Sequence, residues 1–377
     1  MRLVIVLDRL NIGGAERHAC TLAIALRARG HEVILVILFD GGALLPPSGL
    51  PVWRLGGAGR LRGGRVRQLR AALRDIAPDM VLSVNQTASV LTHAARVGLG
   101  LPHDIIFHTT MLPTRLAHVK VQAFKVTTRF SRNLIFVSDM QRDHWAVRGL
   151  HGKADVVIRN GVDLSRFRPD TAVARDGARA RLGLAPDDIA VFLVGRLAVE
   201  KNHAGAFSAL AAAGAKAPQL RLVCVGEGPL EATLRAQVAA MGLSGHVVFT
   251  GAAPDITDLL PAADFGILPS QAVETLSLAA LEMMACGLPM LLSDIGGARE
   301  LVIDGETGFI FPPQDVAGFA DGMLRLTDAT LRQRLGQAAR LHVAGQFTEA
   351  AMVTAYEALW CGDGAKVPRR AAHAQPV

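Results

Sequence analysis

Residues 3–16 read L-V-I-V-L-D-R-L-N-I-G-G-A-E, and an apolar-periodic stretch runs on to Arg29, with Gly30 and a second apolar run at 31–39 behind it. Leu3–Leu7 is apolar without alternation, as in a strand buried on both faces. Gly13-Gly14 ends a loop and opens a helix, and Gly30 suits the position just past that helix's end. Strand, glycine loop, helix, strand at this spacing is a βαβ unit, which implies a parallel sheet. The fold class is therefore α/β and doubly wound.

The same rhythm extends outward. Further strands are expected at 80–84, 104–108 and 133–137, with helical patterns at 64–76, 86–97, 115–130 and 139–149. It restarts with a strand at 189–194, a helix at 201–213, a strand at 221–225 and a helix at 231–241. Strands at 246–249, 264–268 and 289–293 follow, with a helix at 277–286 between the last two. At 377 residues the chain exceeds one ordinary core. Two Rossmann-like domains are expected, at 1–170 and 171–345, with a ligand cleft between them. The polar segment 166–187 shows no clear period and reads as the joint. Residues 346–361 form a last amphipathic helix, and 362–377 read as a disordered tail.

Composition narrows the class. Half of the residues are hydrophobic, which excludes intrinsic disorder. The four cysteines lie far apart without a C-x-x-C, so neither a disulfide framework nor a cysteine zinc site is expected, and a reducing compartment fits. Asp8 ends the first apolar run too early for an export signal, and no stretch approaches a membrane span. A cytoplasmic protein, at most peripheral on a membrane, is expected. Residues 1–170 hold 24 Lys and Arg against 12 Asp and Glu, whereas 171–377 hold 16 against 21. The first half is thus suited to an anionic partner.

Four constellations fall where strands end. At Gly13-Gly14 the backbone can approach a phosphate at a helix N-terminus; a plain tight turn reads equally well. The spacing is not G-x-G-x-x-G, so a nicotinamide site is poorly met. In V-G-R-L-A-V-E-K-N (194–202), Arg196 and Lys201 offer a fork and a point charge to a diphosphate, unless both are merely solvated. In 269–289, Glu274 and Glu282 are eight positions apart. Along one helix that is roughly 12 Å, too far for a retaining hydrolase's carboxylate pair but apt for two points on an extended ligand. The loop Thr275–Leu278 offers amides at a helix start; by itself Glu282 also reads as an exposed helical acid. His108 ends a first-domain strand, and a structural histidine is as good a reading as a functional one. There is no D-x-D and no metal-ligand spacing, so metal-independent chemistry is expected.

With these residues the chain resembles family 4 of the glycosyltransferases, retaining enzymes of the two-domain GT-B fold. The likeness rests on G-G-A-E-R at 13–17, V-I-R-N-G-V-D and F-R-P within 157–169, G-R-L-A-V-E-K-N at 195–202 and V-G-E-G-P-L at 225–230. It continues in A-D-F-G-I-L-P-S at 263–270, Glu274 with Glu282, G-G-A-R-E-L-V at 296–302 and G-E-T-G-F at 305–309. The resemblance implies transfer of a hexose-type sugar from a nucleotide-diphosphate sugar to a glycan or lipid-linked acceptor, without a cofactor. It implies donor contacts from Gly13, Gly14, Arg196, Lys201, Glu274, Thr275, Leu276, Ser277, Leu278 and Glu282, with Glu282 on the ribose. His108, Arg196, Lys201 and Glu274 would surround the reacting sugar and its diphosphate. The 346–361 helix would cross back to the first domain. The family often has E-G-F-G where this chain has Glu274-Thr275-Leu276-Ser277, and Gly where it has Asn202.

Other readings are a GT-B epimerase of nucleotide sugars and, in a different class, a non-catalytic basic protein binding nucleic acid or membrane. A single Tyr and 5% aromatics argue against nucleic acid. Segments 54–74 and 113–132 are basic without an acid, and they suit an anionic membrane surface.

Overall fold

The computed structural model describes residues 1–361 except 12, 43, 45, 47, 57–61, 109–114, 170–171, 254 and 273; within helices the side chains of 62–63 and 115–120 are also not described. The expected tail, 362–377, lies outside the described residues.

The first domain runs β1 (Arg2–Leu7), α1 (Gly14–Ala28), β2 (Glu32–Ile37), β3 (Val52–Arg54), α2 (Arg62–Ile76), β4 (Met80–Val84), α3 (Asn85–Arg96), β5 (His103–Phe107), α4 (Arg115–Thr128), β6 (Asn133–Phe136), α5 (Asp139–Ala146) and β7 (Ala154–Val157). After α6 (Ala172–Arg181), the second runs β8 (Ile189–Val194), α7 (His203–Gly214), β9 (Leu220–Val225), α8 (Glu231–Ala240), β10 (Val247–Gly251), β11 (Phe265–Leu268), α9 (Leu278–Ala285), β12 (Met290–Ser293), α10 (Ala298–Leu301) and β13 (Gly308–Phe311). Three helices close the chain: α11 (Val316–Arg325), α12 (Ala329–Gln346) and α13 (Glu349–Cys361).

Both sheets are parallel. The first is ordered β3-β2-β1-β4-β5-β6-β7 and the second β10-β9-β8-β11-β12-β13. Val4 stands level with Ile34 on one side and Val81 on the other. Each sheet winds in two directions from its first strand, so a crevice opens beyond the strand ends between β1 and β4 and between β8 and β11.

Burial explains the unbroken apolar runs. Leu3, Ile5 and Leu7 face one helical layer while Val4 and Val6 face the other. In β8, Ala190, Phe192 and Val194 face one layer and Ile189, Val191 and Leu193 the opposite one. Successive side chains of a strand point to opposite faces, and here both faces are covered.

The last helix packs on the first domain. Tyr356 and Trp360 are buried with Leu22 and Leu26 of α1. Trp360 Nε1 donates to the buried Asp104 (3.0 Å), and Arg29 pairs with Glu357 (2.6 Å).

Several elements differ from the sequence reading. Segment 166–187 is not irregular, because α6 lies within it. That helix is held by Arg175 and Arg179, which donate to the carbonyls of Pro261, Ala262 and Ala263 and pair with Asp264. Arginines on the packed face, Arg179 buried among them, break the apolar period that signals a helix. The helix expected at 201–213 begins at His203, and Val199–Lys201 is a separate 3-10 turn. Asn202 divides them, left-handed at φ 51°, with its side chain accepting from the Gly205 amide. The last helix starts at Glu349, not 346, because α12 fills 329–346.

Candidate active site

The site is built where the crevices of the two sheets face each other. In the first domain, the loop after β1 enters α1 at Gly13, which is extended and caps the helix. A Cβ on Gly13 would come within 2.6 Å of Glu16 Oε2, whereas one on Gly14 would meet nothing within 4 Å. Gly14 therefore exposes backbone to open space at a helix N-terminus, where an anion is favoured. Burial raises the carboxyl pKa of Glu16; Asp8 adds to this, while Arg196 of the second domain opposes it. Sequence reasoning passed over Glu16.

Across the cleft, the loop after β8 carries Arg196 and Lys201. The V-G-E-G-P-L stretch at 225–230 forms its backing. A Cβ on Gly226 would run into the Gly195 carbonyl, and one on Gly228 into the Leu197 carbonyl. The Leu197 amide donates to Glu227 O (2.9 Å), which seats the loop. The Lys201 stem lies along Gly195, and its ammonium pairs with Glu274. Ser270 Oγ also donates to Glu274 Oε1, at 2.9 Å. Arg196 is mostly exposed and pairs with Glu200.

Glu274 is not on a helix. Ser277 caps α9, its Oγ accepting from the Ala280 amide, so the helix begins at Leu278 and the single-helix spacing of Glu274 and Glu282 does not hold. Loop 274–277 is held from behind by Gly296-Gly297. Gly296 is left-handed (φ +54°) and its Cα touches down on the Glu274 carbonyl, with no room for a Cβ; the Gly297 amide donates to Thr275 O (2.6 Å). From the first domain, Asn160 Nδ2 donates to Leu276 O (2.7 Å). Among the described residues, the amides of Thr275, Leu276, Ser277 and Leu278 find no acceptor. The Leu276 side chain is itself buried.

Glu282 is 5% exposed, which overturns the exposed-acid reading. Its Oε1 accepts from Arg17 Nη2 of the first domain at 2.6 Å, and its Oε2 has no partner among the described residues. Burial pushes the carboxyl up to about 7, against the pull of Arg17 and Arg166.

His108 follows β5. Its amide donates to Asn85 Oδ1 (2.9 Å), and Asn85, the first residue of α3, is left-handed (φ 63°). The ring packs edge-on against His18 of α1, with centroids 4.9 Å apart, and His18 Nε2 lies 3.3 Å from the Tyr356 hydroxyl of α13. Burial lowers the His18 pKa to about 4 and His108 well below its usual value, so both rings are neutral at pH 7. Asn85, His18 and Tyr356 escaped the sequence reading because each acts through a residue remote in the chain.

The structure thus joins Lys201 to Glu274 and Arg17 to Glu282, and brings Glu16 near Arg196. Among the described residues, no cluster of His, Cys, Asp and Glu could hold a metal, and no helix is long and apolar enough to cross a membrane. The basic segments lie partly outside the described residues. Of their described cations, Arg65 donates to Leu55 O and Gly56 O, Arg70 to Ala95 O and Val97 O, and Lys125 to Arg148 O. Arg67, Arg74, Arg129 and Arg132 are exposed, with Val126 and Phe130.

Two doubly wound domains meeting across such a cleft define a GT-B protein. The solved structure of Anabaena Alr3699/HepE in complex with UDP and glucose superposes with a TM-score of 0.86 at 22% identity, covering 96% of this chain and 100% of that one. Sucrose-phosphate synthase from Thermosynechococcus elongatus gives 0.81 at 23% identity, over 96% and 98%. Residues 12–166 match Glycosyltransferase Family 4, and residues 174–342 match Glycosyl transferases group 1. Glycogen synthase of Mycobacterium tuberculosis is 30% identical over 91% of this chain and 90% of its own. The putative glycosyltransferase EpsD of Bacillus subtilis is 34% identical over 56% of each chain. The chain belongs to glycosyltransferase family 4.

Proposed function

We propose that this glycosyltransferase is a retaining hexosyltransferase. It takes a hexose-type sugar from a nucleotide-diphosphate sugar and passes it to a lipid-linked or polysaccharide acceptor of cell-surface or exopolysaccharide synthesis. The observation that carries this reading is the Lys201–Glu274 pair, followed directly by the loop 275–278, whose amides find no acceptor among the described residues. A lysine and amides without acceptors suit a diphosphate by their chemistry, and the Glu274 carboxylate suits a sugar hydroxyl. The complexes of HepE with UDP and with UDP-glucose agree with such a donor.

In this reading the second domain, 171–345, holds the donor and the first, 1–170, presents the acceptor. Residues 346–361 tie the two together. Lys201, Arg196 and the 275–278 amides neutralise the departing diphosphate, where most charge develops. Glu274 accepts from the transferred sugar and Glu282 from the ribose. Neutral His108 faces the reacting sugar. The bond from the anomeric carbon to the phosphate oxygen breaks while the acceptor oxygen bonds to the same face, and the acceptor proton passes to the leaving phosphate. No metal takes part in this scheme. The acceptor would come from the cytoplasmic face of a membrane, with domain one docking through the basic segments 54–74 and 113–132.

The test is nucleotide release from a panel of UDP and GDP sugars, with and without lipid-linked glycan acceptors, and NMR of the new linkage. An α linkage from an α donor is expected. An inverted linkage would overturn retention. Epimerised sugar nucleotide without acceptor would replace transferase by epimerase. Absence of release from every donor would leave a binding protein.

A further inference from the structure

Arg17 belongs to the first domain, yet its guanidinium reaches a buried carboxylate of the second. It stands one turn beyond Gly14 on α1, the helix whose N-terminus faces the cleft. Glu282 sits inside α9, 265 positions away, and accepts from Arg17 at 2.6 Å. A buried carboxylate is costly unless every lone pair finds a donor. Here one oxygen is satisfied by Arg17 and the other, Oε2, has no partner among the described residues. Such an atom is an acceptor awaiting a hydroxyl.

We propose that Arg17 is a positioning residue of the donor site: from domain one it holds the Glu282 carboxylate in one orientation, leaving Oε2 to accept a hydroxyl of the donor's ribose. This rests on the reading of Glu282 as the ribose contact. It adds that the contact is completed only by the opposite domain. The nucleoside end of the donor is then coupled to α1, the helix that also meets its phosphates.

The other charged groups acting on Glu282 are Arg166, from the interdomain segment, and Asp255, from the loop after β10; those two pair with each other at 3.0 Å. From α12, Arg340 donates to Ala285 O at the far end of α9. Arg17 alone of these is bonded to the Glu282 carboxylate. Burial has already brought that carboxyl to about 7. Without Arg17 it titrates higher still, because an opposite charge at this distance is lost. Below that pH the protonated group is a weaker acceptor.

The test is the donor KM, kcat and the pH profile of kcat/KM for the wild type, Arg17→Gln, Arg17→Lys and Glu282→Gln, using the sugar nucleotide that the wild type turns over fastest. For Arg17→Gln, KM should rise about tenfold or more, as for loss of a hydrogen bond to a charged group, with kcat within about twofold. The acid limb of its profile should move up by about one to three pH units. Arg17→Lys should restore most of the KM and return the limb toward the wild-type position. Glu282→Gln should have a raised KM and no limb from this group. If Arg17→Gln keeps the wild-type KM and profile while Glu282→Gln loses donor affinity, Arg17 merely staples the domains and the ribose reading stands without it. If Glu282→Gln keeps wild-type KM, the ribose reading itself fails.

Discussion

Replacing Gly296 by Ala should cripple turnover while leaving a folded protein. Gly296 is left-handed at φ +54° and packs its Cα against the carbonyl of Glu274. Two costs follow from one added methyl. The first is backbone strain, about 1–2 kcal/mol for a non-glycine residue in this region. The second is steric. To bring the new Cβ out to the 3.0 Å below which such contacts do not occur, the Glu274 loop must retreat by more than an ångström. That loop holds Glu274 on Lys201 and Ser270. A misplacement of about 1 Å in a reacting constellation can cost about 100-fold in rate. The assay is steady-state nucleotide release, with thermal unfolding on the same samples. Gly305→Ala separates the two costs, because Gly305 is also left-handed (φ +77°) but a Cβ there meets nothing within 4 Å. It should lose a similar strain energy and keep its kcat. A Gly296→Ala protein with kcat within about threefold of wild type would refute the reasoning, since a 1 Å shift would then have had no catalytic effect.

Lys201→Ala and Arg196→Ala should each lower kcat by about 100- to 1,000-fold with folding intact, the loss of one preorganised charge contact at a departing diphosphate; near-wild-type turnover in both would remove the site. Glu282→Ala should raise donor KM more than it lowers kcat, because a ribose contact is equal in ground and transition states. Glu274→Ala should lower kcat, since its sugar changes charge; the opposite split in initial-rate measurements would reverse the two assignments. Co-sedimentation with anionic vesicles at low salt should exceed that with neutral ones, each cation at the surface contributing about 1 kcal/mol. Equal, negligible sedimentation would leave a soluble acceptor.

The parallel strands were legible because they are buried on both sides, and an unbroken apolar run needs no partner to be recognised. β3, β7 and β13, each at the edge of its sheet and partly exposed, were not expected. Helix α6 stayed hidden because two arginines, not leucines, fasten it to the second domain. In the site, Gly13-Gly14, Arg196, Lys201, Glu274 and Glu282 were named from residue type and place alone. What they touch was not.

By itself, then, the sequence determined the doubly wound α/β class, the two domains, and which polar residues end the strands, since all of these follow from local periodicity and strand polarity. Tertiary structure alone decided that Glu274 meets Lys201 and Ser270. It decided that Gly226, Gly228, Gly296 and Gly297 are there for backbones that arrive from other segments. It also decided that Glu282 is buried against Arg17 rather than exposed to water. A residue's burial and charge state depend on groups hundreds of positions away, and no local pattern carries that information.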